Sequence, residues 1–332
     1  MTREAIIPAG MNGHLDPHQL DLWQAQFARD GFLALPGYFS PEQIDLVLAA
    51  TARTLSSRAM EVVVDDVESQ ERTFYGLANK RALAKFKIND LYLLLEEVRE
   101  VALESRLSEL LRGLLGGKAP VLCNSLTLEK GSGQSLHIDS LFMTPFTPGN
   151  LGATWTAFED VDPAAGPLEY YPGSHLIPNY HFRDGTRHAT AEEFPDWSAY
   201  IRRELEERQL EKKIFLARKG DVFIWHSDLV HGGSEILDPT KGRNSLVCHY
   251  YTEQDCRGVP EWNLIPVNAG FWLDRPPLLV RTHPERFDEE HPFPEEQYLR
   301  RNPDLRVPLG TGQIKSGFEH YQTHGYAEGR GI

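Results

Sequence analysis

Two short stretches of this 332-residue chain hold residues that can bind one metal ion between them. Residues 135–139 contain His137 and Asp139, and residues 225–234 contain His231. Side chains two positions apart on a β-strand point to the same face, so His137 and Asp139 can face one interior. Two histidines and one carboxylate can hold a ferrous ion and leave its other positions open for oxygen chemistry.

A His-x-Asp tripeptide is weak evidence by itself, and this chain holds a second one at His226 and Asp228. We rank the second tripeptide lower because it lies only a few residues from His231, whereas the metal cage needs two separated strands. We interpret His226 and Asp228 as neighbours of the site or as surface residues. His249 is interpreted as a hydrogen-bonded core histidine.

Arg243 follows His231 closely, and Ser245 is two positions further along, so both can face the same side of one strand. A guanidinium offers paired donors that match a carboxylate. This arrangement fits the distal carboxylate of 2-oxoglutarate, whose 2-oxo acid end would chelate the iron. A lone arginine is usually a solvated charge, but the spacing from His231 favours the binding role.

The composition limits the classes of partner. The formal net charge is -14, which opposes binding to a nucleic acid. The three cysteines, Cys123, Cys248 and Cys256, indicate neither a disulfide framework nor a zinc ribbon. We see no signal peptide and no run of about 18 apolar residues. The sequence therefore predicts a cytoplasmic protein with a small-molecule substrate, and it leaves the oligomeric state open.

Hydrophobic spacing divides the chain into a helical part and a β-rich part. The first part shows a helix over Pro17–Asp30, a strand over Phe32–Leu35 and a helix that Ser40 and Gln43 cap. A further helical pattern covers residues 91–115. After Pro120, short runs rich in β-formers alternate with turns. The predicted strands cover residues 121–128, 154–158, 168–171, 214–217, 221–225 and 245–252.

We predict a mainly β fold with flanking helices, a double-stranded β-helix of the jelly-roll, cupin-like kind. Residues 1–119 would be an N-terminal helical flank packed on the barrel. Residues 120–275 would be the catalytic core, and residues 276–332 a C-terminal extension.

One polar segment, residues 176–213, interrupts the core pattern and includes a predicted helix over residues 196–211. Long excursions in compact domains are often lids or binding loops, so we predict a lid-like insertion. Its candidate substrate contacts are Asn179, Tyr180, His181 and Arg183.

An ordered series of motifs over roughly residues 20–255 resembles the phytanoyl-CoA dioxygenase family of Fe(II)/2-oxoglutarate oxygenases. The series comprises residues 30–33, 136–139, 155–160, 166–169, 172–175, 220–222 and 231–243.

The resemblance assigns a role to each matching residue. It implies that His137, Asp139 and His231 are the iron ligands and that Arg243 anchors 2-oxoglutarate. Trp155 matches an aromatic position of the cosubstrate pocket.

A second hydroxyl contact is implied near the distal histidine, where Ser234 matches the family pattern. The additional glycine in the pair Gly232 and Gly233 departs from that pattern, so Ser245 competes for the role.

The resemblance implies a dioxygenase that uses Fe(II), 2-oxoglutarate and O2 to hydroxylate an aliphatic carbon of a small metabolite, with release of succinate and CO2. Related halogenases have Gly or Ala in place of Asp139, so the carboxylate favours hydroxylation. The same iron could instead give desaturation, epimerisation or ring formation. The ligand residues are also compatible with a non-catalytic metal-binding cupin, against which Arg243 argues, and with a hydrolytic zinc enzyme.

The C-terminal residues 298–330 resemble a short module appended to various bacterial proteins, some of which work on cell-surface carbohydrate. We interpret this segment as packing against the barrel or a neighbouring subunit.

Overall fold

The computed structural model describes residues 15–81 and 83–332. Residues 1–17, which the sequence predicts to be an irregular arm, lie almost wholly outside the described residues. The helices of the described part are α1 (Pro17–Asp30), α2 (Pro41–Ser57), α3 (Glu96–Ala102), α4 (Ser105–Leu114), α5 (Phe194–Glu207), α6 (Glu253–Cys256), α7 (Glu295–Arg301), α8 (Arg306–Gly310) and α9 (Gly317–His320). The strands are β1 (Phe32–Leu35), β2 (Val63–Asp66), β3 (Arg72–Phe74), β4 (Phe86–Asn89), β5 (Pro120–Leu128), β6 (Leu151–Ala157), β7 (Leu168–Tyr170), β8 (Lys213–Phe215), β9 (Val222–His226), β10 (His231–Gly233), β11 (Ser245–Thr252), β12 (Asn263–Val267) and β13 (Gly270–Asp274).

Two sheets enclose the interior. The larger runs in the order β1-β9-β6-β11-β5-β4-β2-β3, with β13 beside β5 and β12 beside β13, and the smaller runs β10-β7-β8. Apart from the β13–β5 pair, the pairings are antiparallel. Trp155 and Phe223 of the large sheet pack in one buried cluster with Leu168 and Tyr170 of the small sheet. Two facing antiparallel sheets with flanking helices make the predicted jelly roll.

The first two helices begin and end as the sequence predicts. The Asp16 carboxylate accepts a hydrogen bond from the amide of His18 at the start of α1, and Gly31 ends this helix in the left-handed region at φ 78°. At α2, Ser40 and Gln43 exchange hydrogen bonds in a complete capping box. These caps place β1 directly beside β9, where it closes one edge of the large sheet.

The helical pattern over residues 91–115 is interrupted in the structure. A 3-10 turn, Leu91–Leu93, is followed by α3 and then by α4. The break falls at Glu104, whose carboxylate accepts a hydrogen bond from the amide of Leu107 and starts a new helix. The same carboxylate accepts a hydrogen bond of 2.5 Å from the Tyr38 hydroxyl. The apolar stripe continues past Glu104, so the spacing of apolar residues predicts one helix and does not indicate this cap.

Residues before Pro120 also contribute four strands, β1 to β4, to the large sheet. In the register of β3, β2, β4 and β5, Arg72 lies opposite Asp65, Asp65 opposite Lys87, and Lys87 opposite Leu128. Directly opposed residues share one face of a sheet. All four line the same cavity of the barrel.

The C-terminal residues pack on the β2–β3 hairpin. Val63 and Phe74 of the hairpin belong to a buried cluster with Val280, Tyr298 and Tyr321. The extension therefore supports the strands that carry Asp65 and Arg72. Within the described residues, no helix has the length and apolar composition of a membrane span.

The excursion over residues 176–213 packs beside the residues that flank the candidate metal ligands. Trp197, Ile201 and Leu205 of α5 share a buried cluster with Ile138 and Val230. Burial of these apolar side chains fixes the backbone on either side of the site, since each contributes about 1.5–3 kcal/mol when fully buried.

Candidate metal centre and its cavity

A backbone bridge joins the two stretches that carry the candidate ligands. The amide of His137 donates to the carbonyl of His231 at 2.9 Å, and the amide of His231 donates to the carbonyl of His137 at 3.0 Å. The bridge joins the chain before β6 to strand β10. It sets the two imidazole rings 4.3 Å apart between centroids.

Local hydrogen bonds fix which nitrogen of each ring is free. Nδ1 of His137 lies 2.8 Å from the carbonyl of Ser135, and Nδ1 of His231 lies 2.9 Å from the carbonyl of Leu229. A carbonyl only accepts, so each Nδ1 carries the proton and donates it. Each Nε2 then presents a lone pair, which is the form that binds a metal.

Asp139 completes the set by a different backbone route from the one predicted. It opens a 3-10 turn, Asp139–Leu141, instead of continuing a strand, because its carbonyl accepts hydrogen bonds from the amides of Phe142 and Met143. Its Oδ1 nevertheless lies 3.8 Å from Nε2 of His137 and 3.6 Å from Nε2 of His231. The three ligand atoms all lie within 4.8 Å of one another, and no other group of three in the described residues has this spacing.

The protonation states of these residues suit a divalent cation. Burial and the nearby His231 lower the pKa of His137 to about 3, so its ring is neutral at pH 7. Burial alone would raise the pKa of Asp139, but His231 and His249 lower it well below its usual range. Metal binding requires neutral imidazole and ionised carboxylate, so His137 and Asp139 need no change of protonation before binding an ion.

Trp225 holds the carboxylate in position. Its indole Nε1 donates a 2.7 Å hydrogen bond to Oδ2 of Asp139, leaving Oδ1 to face the histidines. Partners of this kind typically change metal affinity by about 10–100-fold. We expect Trp225→Phe to weaken Fe(II) binding by about tenfold or more, measured anaerobically by equilibrium titration of the purified protein.

Trp155→Phe is the matched control for this measurement. Trp155 lines the same cavity, but its indole nitrogen has no hydrogen-bond partner among the described residues. Its replacement should leave Fe(II) affinity unchanged when no 2-oxoglutarate is present. Equal affinities for all three proteins would contradict the role given to Trp225.

His249 lies at the site, although the sequence indicated only a core histidine. Its Nε2 is 3.6 Å from Oδ1 of Asp139, and its ring lines the cavity. On β11 it follows Ser245 and Val247 at intervals of two residues, so strand alternation places it on the inner face. That alternation was the signal in the sequence that could have identified it.

A chain of hydrogen bonds determines the orientation of the His249 ring. Arg275 donates to Asp90 at 2.7 Å, and the Asn124 amide donates to the same carboxylate at 3.1 Å. The remaining Asn124 oxygen can only accept, so Nδ1 of His249, 3.0 Å away, must donate to it. The Nε2 edge of His249 is therefore turned toward Asp139.

Arg243 is a buried cation with no anionic partner among residues 15–81 and 83–332. Its side chain is 4% exposed, Nη1 donates to the carbonyl of Gly166 at 2.7 Å, and Nε has no partner among the described residues. Burial lowers the pKa of its guanidinium to about 10, so it stays charged at pH 7. Unpaired buried charge is costly, and a ligand carboxylate in the cavity would offset that cost.

The two serines predicted to assist Arg243 lie outside the cavity lining. The Ser234 hydroxyl donates to Glu169 at 3.2 Å, and the buried Ser245 hydroxyl donates to the carbonyl of Arg243 at 3.4 Å. Their contact with a cosubstrate stays a prediction. Gly232, the first glycine of the pair before Ser234, has a packing reason, because a Cβ there would lie 2.9 Å from the carbonyl oxygen of Gln134.

The candidate ligands, Arg243 and Trp155 share one cavity of about 410 Å³. This volume is in the range of small-molecule sites. The opposite wall comes from β2, β3, β4 and β5 and carries polar residues that the sequence did not indicate as functional. These polar residues are Asp65, Arg72, Lys87, Asn89 and Asn124.

The four substrate contacts predicted in the excursion do not line this cavity. Tyr180 packs against Phe182 and Tyr200, and the exposed Arg183 pairs with Glu193 and Asp196. Asn179 and His181 are likewise absent from the lining. Any contact of these residues with substrate stays a prediction.

The rival histidine and carboxylate are also outside the cavity. Nδ1 of His226 accepts a hydrogen bond from the backbone amide of Asp228 at 3.1 Å, which closes a tight local turn.

Comparisons with known proteins agree with this geometry. The sequence model described as Phytanoyl-CoA dioxygenase (PhyH) matches residues 27–239, well over half of the chain. No curated protein sequence matches significantly.

Solved structures of the same fold include an epimerase, a carbocyclase and an Fe-bound protein. The epimerase SnoN, solved with Fe3+, alpha ketoglutarate and nogalamycin RO, gives a TM-score of 0.53 at 22% identity over 78% of this chain and 100% of its own. The alpha ketoglutarate dependent carbocyclase SnoK from nogalamycin biosynthesis gives a TM-score of 0.52 at 18% identity. The match covers 72% of this chain and 84% of SnoK. EctD from S. alaskensis with bound Fe gives a TM-score of 0.52 at 17% identity. The match covers 75% of this chain and 82% of EctD.

Proposed function

This chain belongs to the phytanoyl-CoA dioxygenase family, and on that premise we propose that it is an Fe(II)- and 2-oxoglutarate-dependent oxygenase of a small molecule. One observation carries the proposal: the His137, Asp139 and His231 cluster shares its cavity with Arg243, whose guanidinium has no carboxylate partner in the described part of the chain. A metal-storage cupin or a hydrolytic zinc enzyme needs the cluster, but it does not need a buried cation that binds the carboxylate of a ligand.

His137, Asp139 and His231 would hold the iron through two neutral nitrogens and one anionic oxygen. Bound iron, with 2-oxoglutarate and O2, supplies an oxidant strong enough for an aliphatic C–H bond, with release of succinate and CO2. The protein's contribution is to position the reactants and to exclude water. The ligands suit this task because each is at most 7% exposed.

Two unpaired donors in the cavity would bind 2-oxoglutarate. Arg243 would hold the distal carboxylate with its free Nε, and the unpaired indole N–H of Trp155 offers a second donor. Gln134 is a third possible donor to the cosubstrate. Its amide nitrogen lies 3.3 Å from Nε2 of His137. A metal ion at that lone pair would displace the amide and free it to contact a ligand.

We propose hydroxylation as the reaction, because an anionic ligand at Asp139 occupies the position that halogenases of this kind leave vacant. Epimerisation and ring formation are the second candidate, since SnoN is an epimerase and SnoK a carbocyclase. Product mass separates these outcomes. Hydroxylation adds one oxygen atom, ring formation or desaturation removes two hydrogen atoms, and epimerisation leaves the mass unchanged.

The experiment is an anaerobic titration of Fe(II) and 2-oxoglutarate into the metal-free protein. We expect a weak visible charge-transfer band that needs both additions and does not form when Zn(II) replaces Fe(II). Fe(II) alone and 2-oxoglutarate alone are the matched controls. A folded protein that binds iron yet forms no band would favour the zinc enzyme or the non-catalytic cupin.

A further inference from the structure

We propose that Ser174 and His175 are positioning residues of the metal centre, which act by fixing the backbone that leads into His231. This inference rests on the proposed function, because it concerns the metal centre of the same site. It also gives a role to the sequence motif at residues 172–175. Three segments carry the argument: the end of α1, the turn over residues 172–175 and the turn over residues 226–230.

His231 takes its orientation from the residues just before it. Its Nδ1 donates to the carbonyl of Leu229 at 2.9 Å, and this bond leaves Nε2 free for a metal. The amide of Leu229 in turn donates to the carbonyl of His226 at 2.9 Å. Since the imidazole ring is held by the Leu229 carbonyl, the position of Nε2 depends on how firmly the turn over residues 226–230 is fixed.

The Ser174 hydroxyl holds the residue that directly precedes His231. The amide of Val230 donates to Oγ of Ser174 at 2.8 Å, and the carbonyl of Val230 accepts a hydrogen bond of 3.0 Å from the amide of Tyr171. Ser174 is 1% exposed and Val230 is fully buried. Loss of the hydroxyl would therefore leave a buried amide without a partner, and the backbone would have to shift to satisfy it.

His175 joins its turn to the end of α1. Its Nε2 lies 3.1 Å from the carbonyl of Ala28, which only accepts, so Nε2 carries the proton and donates it. The amide of Gly173 donates to the carbonyl of Asp30 at 2.8 Å. Gly31, which ends α1, leaves room for the imidazole ring, because a Cβ there would lie 2.5 Å from Nδ1 of His175. The turn is therefore fixed to the end of this helix.

The turn that leads into the metal ligand also bonds to α1. The amide of His226 donates to the carbonyl of Gly31 at 2.9 Å. The His226 ring lies 6.1 Å from the ring of Phe27 and 5.4 Å from that of His175, between centroids. Its Nδ1 binds the backbone amide of Asp228, so the Asp228 carboxylate takes no part in this bond. The three segments thus bind one another, and neither turn lines the cavity, so both act on the metal centre through the backbone.

Titration of the metal-free protein with Co(II) tests this inference, because Co(II) suits the same ligands and its visible spectrum reports the coordination geometry. Ser174→Ala and His175→Leu should each weaken Co(II) binding about three- to tenfold and change the spectrum, since loss of one hydrogen bond corresponds to about this factor. The double variant should lose less than the product of the two effects, because both residues hold the same backbone. His175→Gln keeps a donor and should bind Co(II) as the unchanged protein does. His175 is only partly buried, so its variants test the proposal even if Ser174→Ala does not fold.

Ser108→Ala separates positioning from stability. Ser108 is also a fully buried serine whose hydroxyl accepts a backbone hydrogen bond, from the amide of Ala269 at 3.3 Å, but it lies in α4 and outside the cavity lining. Its replacement should lower the melting temperature and leave the Co(II) affinity and spectrum unchanged. Unchanged Co(II) binding in Ser174→Ala and His175→Leu, or an equal loss in Ser108→Ala, would overturn the proposal. Tight Co(II) binding without an Fe(II)/2-oxoglutarate band would remove the oxygenase assignment and keep the positioning role. No Co(II) binding by the unchanged protein would remove the metal centre and this proposal with it.

Discussion

Asp139→Ala is expected to abolish tight Fe(II) binding and to lower 2-oxoglutarate-dependent succinate formation by more than about a hundredfold. Asp139 is the anionic member of the ligand set and is 5% exposed, so water replaces it poorly. Loss of a partner that only orients a ligand already costs about 10–100-fold, so loss of the ligand itself should exceed that range. Fe(II) affinity by anaerobic titration and succinate release by mass spectrometry are the two measurements.

Asp228→Ala provides the matched control for this change. Asp228 belongs to the second His-x-Asp tripeptide, and it lies outside the cavity. Its replacement should leave Fe(II) affinity and succinate release close to those of the unchanged protein. Loss of iron from Asp228→Ala, with retention by Asp139→Ala, would assign the metal to the rival tripeptide and remove the proposed centre.

The sequence predicted which residues form the candidate metal cluster, but it did not predict the backbone that brings them together. His137 and Asp139 were predicted to share a strand, yet Asp139 opens a 3-10 turn. The three side chains still lie close together, because the His137–His231 backbone bridge and the Trp225 indole hold them in place. Such long-range contacts leave no periodic signal in a sequence. The residue types and their order along the chain can be read directly, and these predicted the cluster.

The cavity wall formed by β2, β3, β4 and β5 was the part that sequence reasoning could not locate. Residues 60–75 are charged and their sequence pattern is ambiguous, so no element was predicted there. In the structure Asp65 and Arg72 satisfy each other across β2 and β3, and packing of the C-terminal extension on Val63 and Phe74 supplies the apolar burial. The hairpin is thus stabilised by a segment distant in sequence, which a local pattern cannot reveal.

The excursion over residues 176–213 has a sequence pattern that fits two different roles. Its length and polarity favoured a lid, but α5 buries Trp197 and Ile201 against Ile138 and Val230, which adjoin the three proposed metal ligands. An amphipathic helix with one buried stripe gives the same sequence signal whether it covers an opening or supports a wall. The three-part division at residues 119 and 275 stays a prediction. The large sheet takes four strands from before residue 119, and one apolar cluster joins Val63 and Phe74 to residues beyond 275.

Arg243→Met is expected to weaken 2-oxoglutarate binding by about a hundredfold or more while the metal-free protein keeps or gains thermal stability. Removing one partner of a buried charge pair costs about 2–5 kcal/mol in binding, which corresponds to this loss of affinity. The stability should move the other way, because without a ligand the guanidinium is a buried charge with an unpaired Nε. Calorimetric titration of 2-oxoglutarate and melting temperatures with and without it measure both effects.

A merely structural arginine would give the opposite pattern, since its removal would lower the melting temperature and leave ligand stabilisation intact. Arg72→Met is the control, because Arg72 lines the same cavity but its charge is already satisfied by Asp65. We expect Arg72→Met to have little effect on the affinity for 2-oxoglutarate. Bound 2-oxoglutarate should raise the melting temperature of the unchanged protein and of Arg72→Met, but not of Arg243→Met at the same concentration. If Arg243→Met responded like the other two proteins, the cosubstrate would have to lie elsewhere in the cavity, and Lys87 would be the cation left to hold it.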